Sequence, residues 1–497
     1  MKHLFRCRLA AVAILWLWLA GAASAETLAE KVHEHTFANG LRLLVVERHT
    51  SPTFSAYIAI GVGAVDEDSS NRGVAHLLEH LMFKGTTTIG TRDYAREKPL
   101  LAAIAETGAE LDALRRQPAA DPVREKALAE KLAALQAQHR PLVVKDEFSR
   151  IYSEAGAVGY NAFTGNDLTT YVVSLPANKL ELWASLESDR MRHAVLREFY
   201  TERDVVREER RRSYESDPGG LLYENLMATA FQVHPYRNPV IGWSSDLQHI
   251  SLAATRSFHD RYYAPVNTVI ALVGDIDTAT AVALVGRYFG LIPPGTPVPP
   301  VAAAEPPQRG ERRGHVQFPA EPRLAIAFHK PTLPNRADYV FDLIDELLSG
   351  GRTSRLYQTL VVKRELATAV STYSAPGARY PNLFVIAAIP RHPHSAKEVE
   401  AAVEEQLHRL ASEPVSDEEL ALARKSLRVR RLRQMQSNAR LAGMLTEYQI
   451  VAGDWHYLTT YDQQIATVTP EDVMETARSY FSAANRTVVT LGRQPQE

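Results

Sequence analysis

Asn71-Arg-Gly-Val-Ala-His-Leu-Leu-Glu-His-Leu-Met-Phe-Lys-Gly85 places two histidines four residues apart, with a glutamate just before the second. The stretch reads as a short helix, capped near Asn71 and stopped by Gly85. At about 100 degrees per residue, His76 and His80 stand one above the other on a single face. Both imidazoles can then reach one ion at about 2.0 to 2.1 Å. Glu79 lies beside them, where a carboxylate can take a proton from a water polarised by zinc and pass it to a leaving amine. This order is the inverse of the commoner zinc-peptidase helix motif. Read alone, the same pattern also describes an amphipathic helix whose histidines are satisfied polar groups.

A catalytic zinc takes three protein ligands, so a third must come from elsewhere. The best source is Glu202-Arg-Asp-Val-Val-Arg-Glu-Glu-Arg-Arg-Arg212. Glu202 and Glu209 are two helical turns apart and share a face with Val205 and Val206, which is expected to turn inward; Glu208 points about 100 degrees away. Glu209 is therefore the expected third ligand, and Glu202 an acceptor for the far nitrogen of a ligand imidazole. Without the histidines, the segment would read as a solvated helix laced with Glu-Arg pairs. Two imidazoles and one carboxylate suit Zn2+, one per chain, although cobalt or manganese also fits such a set in vitro. The pairs His33 with His35 and His392 with His394 read as surface residues, since neither has a third ligand nearby.

The chain has 497 residues, 45% hydrophobic and 23% charged, with a formal net charge of -2. That balance is globular and favours neither nucleic acid nor an anionic membrane surface as partner. Residues 1–25 read as a signal peptide: Lys2, Arg6 and Arg8, an apolar run from Leu9 to Ala20, then Ala23-Ser24-Ala25. No other segment offers the roughly 18 or more apolar residues of a membrane span. A periplasmic or secreted protein, free of the membrane after cleavage, is expected. Its single cysteine, Cys7, lies inside the signal, so the mature chain can form no disulfide.

Past the midpoint, Ile292-Pro-Pro-Gly-Thr-Pro-Val-Pro-Pro300 reads as an extended linker, placed at residues 293–313 between units at 26–292 and 314–497. Ile250 to Gly274 and Val468 to Gly492 repeat one order, helix then strand, with Tyr262, Asn267 and Gly274 matched by Tyr480, Asn485 and Gly492. The repetition suggests a duplicated domain. His35 to Glu47 reads as strands turning at Asn39-Gly40, and Phe54 to Val62 as a strand, so the class is α+β. From Asp93 to about Lys145 the composition is helical, broken near Pro118-Ala-Ala-Asp-Pro122, and is taken as an insertion in the first unit.

His76-Leu-Leu-Glu-His80 with Glu202 through Glu209 resembles the pitrilysin/insulinase family of zinc peptidases, nearest its two-domain, mitochondrial-processing-peptidase-like bacterial members. Asn161-Ala-Phe-Thr164, His234-Pro-Tyr-Arg-Asn-Pro-Val-Ile-Gly242, Tyr263-Ala-Pro-Val-Asn267 and Ser354-Arg-Leu-Tyr357 are similar to family blocks. The resemblance implies two homologous α/β-sandwich domains forming half of a clamshell, the first carrying zinc and the second a degenerate copy. It assigns Glu209 as third ligand and Glu202 as outer carboxylate. Asn161, Ala162 and Phe163 become substrate contacts on a strand that pairs with an extended peptide. An arginine and a tyrosine that members often carry after the Ser-Arg-Leu element are replaced here by Val361 and Thr368. That departure implies a heterodimer with a homologous companion lacking the zinc motif; a homodimer or a lone active chain are the alternatives. The expected function is a zinc endopeptidase acting on peptides or unfolded polypeptides with Glu79 as general base. A non-catalytic scaffold subunit of the same fold is the competing reading. A zinc-storage protein would use the ligands but leave Glu79 without a task.

Overall fold

A computed structural model describes residues 27–493; the signal-peptide reading of residues 1–25 lies outside the described residues. The first sheet contains β1 (Val32–Thr36), β2 (Arg42–Glu47), β3 (Thr53–Ile60), β4 (Val158–Thr164), β5 (Thr169–Pro176) and β6 (Thr268–Gly274), in the order β1-β2-β6-β3-β5-β4. The second contains β7 (Arg312–Gln317), β8 (Arg323–Lys330), β9 (Ala367–Ala375), β10 (Asn382–Pro390) and β11 (Arg486–Gly492), in the order β7-β11-β8-β10-β9. Strand for strand, β2 to β6 and β7 to β11 follow one topology. Within each sheet only β2 with β6, or β7 with β11, runs parallel.

Sequence chemistry places the strands. β6 is an unbroken apolar, largely β-branched run, buried throughout, and takes the interior of its sheet. β1 is polar beyond Val32, and both β1 and β4 are exposed on most positions; they take the two edges. The expected turn at Asn39-Gly40 joins β1 to β2, with Gly40 in the left-handed region at φ 85°.

The helices that matter for the site are α1 (Val74–Leu81), α2 (Tyr94–Arg115), α3 (Pro122–His139), α4 (Phe199–Arg210), α5 (Pro218–Ala230), α6 (Leu252–Tyr262), α7 (Asn438–Val451) and α8 (Pro470–Tyr480). The units α6-β6 and α8-β11 are offset by one constant interval at every boundary. In both, the matched asparagine does the same work: Asn267 Nδ2 donates to Tyr262 O (3.1 Å), and Asn485 Nδ2 to Tyr480 O (2.9 Å). Each amide ties the end of a helix to the start of the following strand.

Two helices cross between the halves. α5 lays Leu222, Leu226 and Met227 on the second sheet, against Ala325, Ala327 and Val489. α7 lays Leu441, Ala442 and Leu445 on the first, against Val269, Ala271 and Val273. The proline-rich segment carries no helix or strand between residues 293 and 309 and is strapped to the body. Asn267 donates to Thr296 O and accepts from Val298 N, and Glu305 accepts from the amides of Gln232, Val233 and His234.

α2 and α3 pack on each other, with the break between them closed by Asp121, which accepts from Val123 N and Arg124 N. Buried ion pairs fasten α2 to the body. Arg197 forks to both oxygens of Glu97 at 2.6 and 2.8 Å, and Arg203 to both oxygens of Asp112 at 2.8 and 2.9 Å.

Candidate metal centre

α1 presents Val74, Ala75, Leu77, Leu78 and Leu81 to the first core, which turns His76 and His80 toward α4. Its cap differs from the expectation. Asn71 does not cap it, because its side chain is spent on Asp68 (3.1 Å). Glu67 does, accepting from Gly73 N and Ala75 N at 2.8 Å each. Gly73, at φ 92°, makes the turn between them, and a Cβ there would stand 2.6 Å from Ile241 O. Burial pushes the Glu67 carboxyl up to about 8.

One donor atom from each of His76, His80 and Glu209 lies within 4.8 Å of the other two. His76 Nε2 stands 3.7 Å from Glu209 Oε1, and His80 Nε2 stands 3.4 Å from Glu209 Oε2. Ligands at zinc bond lengths and tetrahedral angles stand about 3.3 to 3.4 Å apart. The separations are therefore those of a metal cage and are long for direct hydrogen bonds. Among the described residues no other group of three His, Cys, Asp or Glu side chains comes together in this way.

His80 Nδ1 faces Glu202 Oε2 at 3.4 Å, and Lys84 Nζ holds the other Glu202 oxygen at 2.6 Å. An Nδ1–H directed at that carboxylate leaves Nε2 with its lone pair toward the cage. Burial opposes charge on His80, but Glu202 and Glu209 outweigh it and raise the ring to about 9. His76 moves the other way, held low by burial and by the neighbouring His80. A metal entering at neutral pH must displace the His80 proton. Zinc affinity is thus expected to rise about tenfold per pH unit across the neutral range, with about one proton released per ion. Chelator-competition titrations at several pH values check this; an affinity flat with pH would show that the carboxylates leave His80 uncharged.

Glu79 is 8% exposed and accepts a 2.6 Å hydrogen bond from Thr164 Oγ1. Burial raises its pKa, and the Thr164 bond opposes the rise. Thr164 ends the edge strand β4, which pairs only with β5 among the described residues. On that strand Asn161 and Phe163 are exposed and Ala162 is buried.

One part of the α4 reading is corrected. Val206 is fully buried, but Val205 is 44% exposed and borders a cleft of about 1020 Å3 between α4 and the helices α2 and α3. The inward stripe runs through Glu202, Val206 and Glu209, the i, i+4, i+7 positions, and Val205 falls on its margin. Glu208 is on the surface, paired with Arg211 and Arg212.

Val361 lies in the π-helix Tyr357–Lys363, half-buried against the second core, and Thr368 in β9 donates to Ile389 O at 3.3 Å. Val361 has no polar side-chain atom to offer a substrate. Sequence reading gave no role to Thr164, Lys84 or Glu67. Thr164 stood inside a quoted block, but its partner is 85 residues away, beyond any spacing rule.

The family model described as Insulinase (Peptidase family M16) matches residues 42–114 and 128–243. A second, described as Peptidase M16 inactive domain, matches residues 249–427. The chain is 25% identical to the zinc protease PqqE of Helicobacter pylori over 504 residues, 99% of this chain and 100% of that one. In fold it matches the crystal structure of a protease from Helicobacter pylori, with TM-score 0.78 at 24% identity over 93% of this chain and 99% of that one. It also matches the first half of the periplasmic protease PqqL from Escherichia coli, with TM-score 0.67 at 16% identity over 94% and 92%. Two sheets of one topology, joined in a two-domain α+β chain and matched by these family models across both halves, place the protein in the insulinase family, peptidase family M16.

Proposed function

We propose that this chain is a zinc-dependent endopeptidase acting on peptides or unfolded polypeptides. The reading is carried by the cage of His76, His80 and Glu209 at metal-edge distances with the Glu79 carboxylate beside it. Bound there, zinc would supply a Lewis acid for the attacking water and the scissile carbonyl. Glu79 takes the proton of the attacking water and returns it to the leaving nitrogen. Glu202, held by Lys84, orients His80, and Thr164 orients Glu79. The free edge of β4, with Asn161, Ala162 and Phe163, receives an extended substrate backbone.

Val361 and Thr368 supply no cation or phenol to steady the substrate carbonyl, so a homologous companion without the zinc motif completes the site. The zinc-bearing unit is placed at residues 26–292 with its helical insertion, and the non-catalytic unit at 314–497. Export to the periplasm or beyond follows from the N-terminal signal and accords with the periplasmic PqqL likeness. No described helix is long and apolar enough to cross a membrane.

The test is zinc content together with hydrolysis of a quenched peptide library by the purified full chain, with and without the companion. One zinc per chain and chelator-sensitive cleavage are expected. Stoichiometric zinc with no cleavage even beside the companion would transfer the protein to the scaffold class. Within the peptidase, Thr164→Val is expected to lower kcat/KM about tenfold through loss of the bond to Glu79, while Thr164→Ser retains most of it. Equal activity in both variants would remove Thr164 from the site.

A further inference from the structure

A cavity of about 760 Å3 lies between α2, the segment 192–198 that leads into α4, and the start of α6. That volume is in the range of a specific ligand pocket. α2 turns Leu101, Ala102 and Ala105 to it from one side of the helix, and Val195, Phe199 and Leu252 continue the apolar wall. Leu101, Ala105 and Leu252 are half-buried and Ala102 is exposed. Water therefore meets apolar carbon along this wall, which is unfavourable unless an apolar body takes its place.

Four cations share the lining. Lys98, Arg140 and Arg192 are exposed and Arg256 is half-buried, and none is within ion-pair distance of a carboxylate among the described residues. Arg256 is oriented by donating to Ala194 O at 3.1 Å. The one acid of the lining, Glu198, is engaged by Lys84 at 3.6 Å, and its two histidines, His139 and His193, by Glu97 and Asp189 at 2.7 Å each. Unmatched charge is not general here: between α2 and α3, Arg115 pairs with Glu125 and Arg124 with Glu110.

An apolar wall beside unpaired guanidinium and ammonium groups complements an aliphatic body that carries an anionic head. A guanidinium grips a carboxylate through two parallel hydrogen bonds. A cationic amphiphile would be repelled, and a wholly polar anion would leave the wall wet. We infer that this cavity is a binding site for a long-chain carboxylate of the fatty-acid class, its chain against the α2 wall and its head among the four cations. The inference does not rest on the peptidase reading.

The purified full chain is titrated with cis-parinaric acid, a fluorescent long-chain carboxylate, below the concentration at which it aggregates. Bound probe is then competed with dodecanoate, dodecyl phosphate and dodecyltrimethylammonium. One saturable site per chain is expected, with dodecanoate displacing the probe at a concentration about tenfold below that of the ammonium amphiphile. Arg140→Gln/Arg192→Gln removes two exposed cations and is expected to weaken probe binding about tenfold. Ala102→Trp fills the cavity from an exposed helix position and is expected to abolish binding, with thermal unfolding of both variants unchanged. Binding that does not saturate, binding unchanged in both variants, or equal displacement by all three amphiphiles would overturn the site. Stronger displacement by dodecyl phosphate than by dodecanoate would overturn the carboxylate assignment.

Discussion

Glu79→Gln is expected to keep its zinc and lose about a thousandfold of its peptide hydrolysis. The amide has the volume of the carboxylate, and its Oε1 can still accept from Thr164 Oγ1, so the local packing has no reason to change. His76, His80 and Glu209 are untouched, and metal content read by plasma mass spectrometry should match that of the parent chain. What disappears is a basic oxygen that can accept a proton from the attacking water. Burial raises the Glu79 carboxyl and the Thr164 hydrogen bond opposes the rise. Retention of full activity in the amide variant would take the base role away from Glu79.

The largest stability effect is expected at Arg197. This fully buried guanidinium grips both oxygens of Glu97 and donates to the carbonyls of Lys84, Thr86 and Ile89, so one side chain ties α2 to the segment leaving α1. Arg197→Met leaves the buried Glu97 carboxylate with His139 alone and takes a donor from the Lys84 and Thr86 carbonyls, while Ile89 O keeps Thr86 N; a loss of about 3 to 5 kcal/mol is expected in denaturant unfolding. The double variant Arg197→Met/Glu97→Met should recover part of that loss, because no charge is then left unpaired. Burial alone would raise the Glu97 pKa, but His139 and Arg197 outweigh it and hold the carboxyl at about 2. A depressed carboxyl stabilises the fold above its unfolded value, about 4.3, and that contribution fades as pH falls from there through about 2. Arg197→Met should flatten this part of the acid-unfolding profile. A single variant as stable as the parent would show that the fork is dispensable.

Much of this was legible because it repeats along the chain. The four-residue spacing of His76 and His80 and the seven-residue spacing of Glu202 and Glu209 are properties of a helix, and α1 and α4 bring the four side chains together. Asn267 and Asn485 were readable as a repeat because each must tie a helix end to a strand start. The Glu67 cap was not readable: it reaches α1 across a left-handed glycine turn, outside the usual capping position. Val205 was misplaced because helical phase gives a face but not its edges. Thr164 needed a strand and a helix far apart in sequence to meet, and the exchange of α5 and α7 leaves no periodic mark, since either helix would be equally apolar if it covered its own sheet.

That exchange has a consequence for motion. Swinging one sheet away from the other would strip Leu441 and Leu445 from the first sheet at a cost of about 3 to 6 kcal/mol, before counting the Leu222 and Leu226 contacts on the second. A hinge inside the chain is therefore stiff. The two sheets are expected to move together rather than open against each other.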